Sequence, residues 1–148
     1  MKRDNMKIKQ LSIFLENKKG RLWKALDILD KGNINIRALS IADTSDFGIL
    51  RILVQNPGIA KELLESNNFI VKIIDIIGIE LDDTPGGLSR VLKVLNDNDI
   101  NLEYIYAFTH EKTEKAILLL QSEDLDLLIK TLKTNDLTIV PPTEVYNL

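Results

Sequence analysis

The chain has 148 residues with 19 Lys+Arg against 22 Asp+Glu, a formal net charge of −3 with His110 neutral, and a pI near 5.2. At 45% hydrophobic and 28% charged residues it lies far from disordered composition, and it offers no basic face for nucleic acid. The lack of cysteine and the single histidine exclude disulfides, a cysteine nucleophile and a transition-metal site and leave open only a carboxylate site for a hard cation. Asp82-Asp83 reads as a turn and cap rather than such a site, and neither metal nor cofactor is expected.

The opening MKRDNMKIK leads only into a short apolar stretch broken at Glu16 and Asn17. No signal peptide or membrane span is predicted, and a cytoplasmic address is the expectation. Residues 7–16 alternate as a strand does, and Asn17-Lys18-Lys19-Gly20 breaks the pattern. Leu22, Ala25, Leu26 and Leu29 then recur at helical spacing, with Gly32 as the expected C-terminal stop. Strands follow over 34–43 and 47–55, joined by a small polar turn. Asn56-Pro57 reads as a helix start, Asn capping and Pro pre-set in the first position; that helix runs to Ser66, and Phe69 to Ile73 is a fourth strand.

The pattern then begins again. A strand over 74–82, the loop Asp83-Thr84-Pro85-Gly86, a helix to Asn98 and strands over 100–109 and 113–121 precede a last helix. Ser122 is its expected cap, with Glu123 and Asp124 in the first turn and Leu125, Leu128, Ile129 and Leu132 on one face. Leu137 to Val140 closes the second unit, and Pro141-Pro142 is expected to forbid further helix or central strand.

An ungapped shift of 66 positions places Ile8 on Ile74, Gly20 on Gly86, Leu22 on Leu88, Asn35 on Asn101, Gln55 on Gln121 and Ile73 on Ile139, so the chain reads as a duplication. Each copy has the order βαββαβ, the ferredoxin-like split-βαβ unit. The fold class is therefore α+β, with units over 1–73 and 74–148, each an antiparallel sheet with its helices on one face. Between Phe69 and Leu81 there is no Pro, Asn or Ser, so no flexible linker separates the copies. Tyr104, Tyr106 and Phe108 share one strand face where the first copy has Ala38, Ser40 and Ala42. Sheet faces this apolar predict a homodimer.

The candidate site is the turn entering the first helix of each copy, Glu16-Asn17-Lys18-Lys19-Gly20-Arg21-Leu22 and Asp82-Asp83-Thr84-Pro85-Gly86-Gly87-Leu88. A helix start offers unpaired N–H groups and partial positive charge, and a glycine lets a ligand approach the main chain, so a small carboxylate is the natural guest. Asn35 and Asn101, at the start of the following strand, are expected to lie beside it. On composition and spacing alone, plain turn roles for these glycines and asparagines rank ahead of a ligand site. Trp23 falls off the core stripe of its helix, His110 sits in a turn, and Arg51 is expected to reach Glu16, Asp43 or a ligand carboxylate.

These residues carry a resemblance. Leu15 through Leu22, followed by Asn33-Ile34-Asn35-Ile36, resembles the ACT-domain signature, and Leu81 through Leu88 with Ile100-Asn101-Leu102 resembles it more closely through its D-x-P-G core. The match covers residues 7–140 and is similar to the small stand-alone tandem-ACT proteins of bacteria and archaea. The resemblance implies a non-enzymatic regulatory protein binding a free amino acid at a domain or subunit interface. Backbone at Gly20-Arg21-Leu22 and Gly86-Gly87-Leu88 would hold the carboxylate, with Asn17 and Asp83 in the same turns, and Asn35 and Asn101 would hold the ammonium. Lys19 and Arg21 depart from the family's Pro and small apolar residue, so the resemblance does not require the two sites to be equivalent. The alternative reading is a trans-acting regulatory subunit of an amino-acid biosynthetic enzyme, similar to the acetolactate synthase small subunit. An acylphosphatase-like hydrolase ranks third: Arg21 and an Asn exist, but the second copy lacks the Arg and no activated nucleophile or base accompanies it.

Overall fold

A computed structural model describes residues 6–43, 46–109 and 115–146. The chain forms two compact units, Lys9–Ile74 and a C-terminal unit of residues 75–146 joined by residues 6–8. The elements in order are β1 (Lys7–Glu16), α1 (Arg21–Lys31), β2 (Ile36–Asp43), β3 (Phe47–Val54), α2 (Pro57–Ser66), β4 (Ile70–Asp82), α3 (Gly87–Asp97), β5 (Leu102–Thr109), β6 (Lys115–Ser122), α4 (Leu125–Thr134) and α5 (Pro142–Tyr146). The predicted βαββαβ order thus occurs twice, and the fold is ferredoxin-like. β4 is one strand of 13 residues, its first five residues in the N-terminal unit and the rest in the other.

Alternation along each strand sends one set of side chains toward the helices. In the N-terminal unit Leu11, Ile13, Leu15, Leu50 and Ile52 meet Ala25, Leu29, Ala60 and Leu64 in a closed core. In the other, Ile77, Ile79, Leu118 and Leu120 meet Val91, Leu95, Leu128 and Leu132, with Met6 buried among them. Tyr104 and Tyr106, on the other face of β5, stack at 6.4 Å.

The strand registers correct the ungapped repeat. Leu15 lies opposite Gly48 and Ile41 opposite Leu50, whereas Leu81 lies opposite Ala116 and Ala107 opposite Leu118. The copies are therefore offset by 66 through β5 and by 68 from β6 onward, because the β5–β6 connection is two residues longer than the β2–β3 connection. The helix caps agree, since Asn56 and Asp124 are equivalent N-caps. Gln55 with Gln121 and Ile73 with Ile139 are consequently not equivalent pairs.

Several ends differ from expectation for identifiable reasons. Asp124, not Ser122, caps α4 by accepting from the Leu127 N–H at 3.0 Å. Ser122 remains in β6 and its hydroxyl donates to the Asn101 carbonyl at 2.9 Å. Asn56 precedes Pro57 at N1 but makes no side-chain cap bond. The closing segment of the C-terminal unit is a single bridge, Ile79 to Ile139, held by the Glu80 N–H on the Thr138 carbonyl at 2.9 Å and the Val140 N–H on the Gly78 carbonyl at 2.8 Å. Pro142 does not stop the chain from turning helical; it opens α5, where a proline's missing N–H costs nothing.

Gly32 is not the left-handed residue that ends α1; its φ is −81°, and Asn33 carries φ 58° instead. The same device ends all four long helices, with Asn68, Asp99 and Asp136 at φ 68°, 57° and 57°. The next N–H in each case, from Ile34, Phe69, Ile100 and Leu137, returns to the carbonyl of Leu29, Leu64, Leu95 and Leu132 at 2.9–3.1 Å. These are Schellman closures, and each brings the apolar residue that follows against the last core residue of its helix. Asp99→Gly should be neutral or stabilising because it removes a Cβ from the left-handed region, while Asp99→Ala keeps that Cβ, loses the short polar side chain that eases the conformation, and should destabilise by up to about 1 kcal/mol; chemical denaturation of both variants checks this.

Candidate functional site

At both candidate turns a glycine stands as the helix N-cap in the left-handed conformation, Gly20 and Gly86, each with φ 87° and no side-chain cap bond. The Arg21 N–H returns to the Lys18 carbonyl and the Gly87 N–H to the Thr84 carbonyl, while Lys24 and Arg90 make the first intrahelical bonds, to the carbonyls of Gly20 and Gly86. Helix geometry leaves the N–H groups of Leu22 and Trp23 in one copy, and of Leu88 and Ser89 in the other, without an intrahelical acceptor. Both starts are thus suited to an anion.

The surroundings of the two starts differ. A Cβ on Gly87 would lie 2.3 Å from the Asp82 carbonyl oxygen, so the beginning of α3 approaches the end of β4 more closely than any side chain permits. Arg21 holds the equivalent position in the N-terminal unit, and its guanidinium lies over the Phe69 ring at 4.2 Å, with Nε buried and making no hydrogen bond among the described residues. In the C-terminal unit Gly87 and Leu137 replace that pair, and a cleft of about 300 Å³ opens there. Its rim carries Glu80, Asp82, Arg90, Lys115 and Asp136. Where the N-terminal unit stacks Phe14 on Phe47 at 4.8 Å, the equivalent residues are Glu80 and Lys115.

On the other side of the α3 start lies a groove of about 590 Å³, walled by Leu81, Leu88, Ala107, Ala116 and Leu118, with Asp83 and Thr84 at its mouth. Asp83 and Leu88 thus border this groove, and Gly87 borders the cleft. Gly86 lies exposed in the turn, where a Cβ would come within 3.0 Å of Arg90 Nη1. In the first copy Asn17 donates its backbone N–H to the Asp46 carbonyl at 3.2 Å, Gly20 has open space around it, and Leu22 is exposed.

Asn35 and Asn101 are not beside these turns within their own units. Asn101 meets Ser122 at the end of β6, whereas Asp82 lies opposite Lys115 at its beginning, a separation of roughly 23 Å at ~3.3 Å per strand residue. Asn35 stands in the same relation to Glu16, since Ile36 faces Val54 and Glu16 faces Phe47, the two ends of β3. Arg51 lies opposite Ser12 and Ser40, and Glu16 pairs with Lys18 at 3.0 Å. Trp23 is 69% exposed; His110 lies outside the described residues. Among those residues no cluster of three or more metal-ligating side chains occurs, and no helix is long and apolar enough to cross a membrane.

A doubled βαββαβ unit with a glycine-opened turn after each first strand is what comparison with known families resolves: the family described as an ACT domain pair matches residues 6–148. The chain belongs to the ACT-domain family. A crystal structure of protein BT0572 from Bacteroides thetaiotaomicron is 40% identical, superposes with a TM-score of 0.89 and is covered over 98% of its length by 97% of this chain. The regulatory subunit of aspartate kinase from Thermus thermophilus, in its ligand-free form, shares the fold at a TM-score of 0.61 and 14% identity, over 87% of this chain and 92% of that one. Among curated proteins, the acetolactate synthase small subunit of Buchnera aphidicola is 32% identical over 79 residues, covering 53% of this chain and 50% of that protein. The isozyme 3 small subunit of Escherichia coli is 29% identical over 69 residues, 47% of this chain and 42% of that protein. The ACT pair spans about half the length of the curated relatives it matches.

Within the second ACT unit, Lys115 ties the strand hairpin to the turn through its ammonium on Asp82. That hydrogen bond, with the Lys115 charge, holds the Asp82 carboxyl below its usual range and raises Lys115. Ala107, Arg90 and Lys115 were not singled out from the sequence. Ala107 is legible once the copies are compared, because Ile41 is its counterpart; Arg90 and Lys115 become neighbours of the turn only through folding.

Two outcomes follow from this geometry. Gly87→Ala should destabilise the ACT pair by about 1–3 kcal/mol, since the backbone itself must yield, whereas Gly58→Ala, where nothing lies within 4 Å, should be neutral or stabilising; urea unfolding of both separates them. Because its folded pKa is depressed, Asp82 contributes stability above the ordinary carboxylate pKa, and this is lost as pH falls through the lowered value. Lys115→Ala should return Asp82 to the ordinary range in a carboxyl NMR titration.

Proposed function

We propose that this ACT pair is a non-enzymatic regulatory protein that binds a free amino acid at the turn between β4 and α3. The observation that carries the reading is an uncapped, glycine-opened helix start set at the mouth of a 590 Å³ groove, within the usual size range of small-molecule sites. The helix start suits the α-carboxylate, and the Asp83 carboxylate, which makes no hydrogen bond or ion pair among the described residues, suits the ammonium. Asn101 and Asn35, distant from the turn in their own units, serve such a ligand only from outside them, which favours a site completed at an interface. A homodimer fits this arrangement: β2 has a strand neighbour on one side only and exposes Leu39 at 51%.

A second reading has its own support. The similarity to acetolactate synthase small subunits favours a trans-acting regulatory subunit of an amino-acid biosynthetic enzyme, with the bound amino acid as its signal. A stoichiometric large subunit in an affinity pull-down would put this reading first.

A thermal-shift screen against the twenty amino acids tests the proposal. A ligand that binds only the folded state at about 100 times its Kd adds roughly 2.7 kcal/mol, and the melting temperature should rise for a small chemical class. Gly86→Val should abolish the rise by placing a branched side chain at a left-handed position on the approach to the main chain. No shift with any amino acid, for the dimer measured by light scattering, would reject the reading.

A further inference from the structure

The two copies provide an internal comparison at corrected register. Ile41 opposite Leu50 and Ala107 opposite Leu118 are the same position on the edge strand of each unit. In the N-terminal unit the Ile41 Cγ2 reaches to 4.0 Å from the Cβ position of Gly48, and Gly48 is the counterpart of Ala116. The isoleucine therefore lies over the spot where the C-terminal unit has its groove. With Ala107 there, the space stays open. A second difference acts on the same helix start: Arg21 stacks on Phe69 in one unit, and Gly87 with Leu137 leaves the corresponding ground clear in the other.

The open groove also has a definite chemistry. Its walls are mainly apolar, formed by Leu81, Leu88, Ala107, Phe108, Ala116 and Leu118 with Thr84 and Thr109, and its acidic residues, Asp82 and Asp83, stand beside the uncapped α3 start. A zwitterionic head matches that polar end, anion to helix start and cation to carboxylate. A charged side chain on the same ligand would have to lie along a wall without a partner, which is costly. A short hydrocarbon side chain has no such penalty.

Resting on the amino-acid-binding reading, we infer that each chain binds one amino acid rather than two, in the C-terminal unit, and that this ligand carries an uncharged aliphatic side chain seated against Ala107. Among the described residues of the N-terminal unit, Ile41 stands over the equivalent ground and Arg21 lies on Phe69, so no second site of this kind is expected there.

Isothermal titration of the full chain with alanine, valine, leucine, isoleucine, aspartate and lysine reads both parts of the inference. One site per chain is expected, with at least one aliphatic amino acid bound ten-fold or more tighter than aspartate or lysine. Affinity should fall in the order Ala107→Gly, wild type, Ala107→Val, Ala107→Ile, with the isoleucine variant weakened ten-fold or more. Melting without ligand identifies any variant that fails to fold, and the valine and glycine variants then carry the comparison. Two sites per chain, tighter binding of aspartate or lysine, or an affinity indifferent to residue 107 would overturn the inference while leaving amino-acid binding in place. No binding by the wild type to any of the twenty amino acids would instead remove the reading on which it rests.

Discussion

The joint between a strand and the helix that follows it is where the two units differ most in their backbone packing. In the C-terminal unit the first helical residue sits so close to the Asp82 carbonyl that only a hydrogen fits as its side chain. That approach sets the α3 start low against β4, leaves its donors uncapped, and opens ground on either side. At the matching joint the N-terminal unit carries an arginine, which needs somewhere to put its cation. It lies against Phe69, a face attractive to a guanidinium, and the ground is filled. The same joint is thus built in two ways, with an arginine on a ring in one unit and a glycine beside a cleft in the other.

The exchange between the copies runs in matched groups, not in single residues. Arg21 and Phe69 give way to Gly87 and Leu137; Phe14 and Phe47, stacked face to face, give way to Glu80 and Lys115. The arginine is intelligible with its ring, over which the guanidinium lies at 4.2 Å, and the half-exposed Lys115 meets Asp82, whose counterpart Glu16 is acidic as well. Both units keep the core that folds them, the leucine and isoleucine layer between sheet and helices. The differences extend to the strand faces as well, where Tyr104 and Tyr106 stand in place of Ala38 and Ser40.

Much of this was readable from the residues. Period-two and period-3.6 patterns located β1 and the four long helices to within a residue or two, and Gly20 and Gly86 marked the turns. The hairpin shift was hidden for a physical reason: a slip of two residues returns every side chain to the same sheet face, so Leu- and Ile-rich strands match at 66 and at 68 almost equally well. The asparagines were misplaced because sequence nearness hid the return path of the helix. Eleven residues of α1 or α3 carry the chain roughly 16 Å back at ~1.5 Å per residue, to the far end of the sheet. Ser122 read as a cap because hydroxyls favour that role; only the pairing with Asn101 shows it serving the strand instead. Arg90 and Lys115 had no local signal at all, being recruited from a helix face and a strand end.

The longer β5–β6 connection has a consequence for the duplication as a set of parts. Up to the end of β5, a segment of one copy can be exchanged for its counterpart and every side chain keeps its face and its opposite number. A graft whose boundary falls beyond the hairpin, cut by counting 66 residues, still presents the right faces but meets its neighbours two positions out of step. The halves have therefore ceased to be interchangeable modules. An exchange between them preserves the fold only when the whole hairpin travels with the strand that follows it.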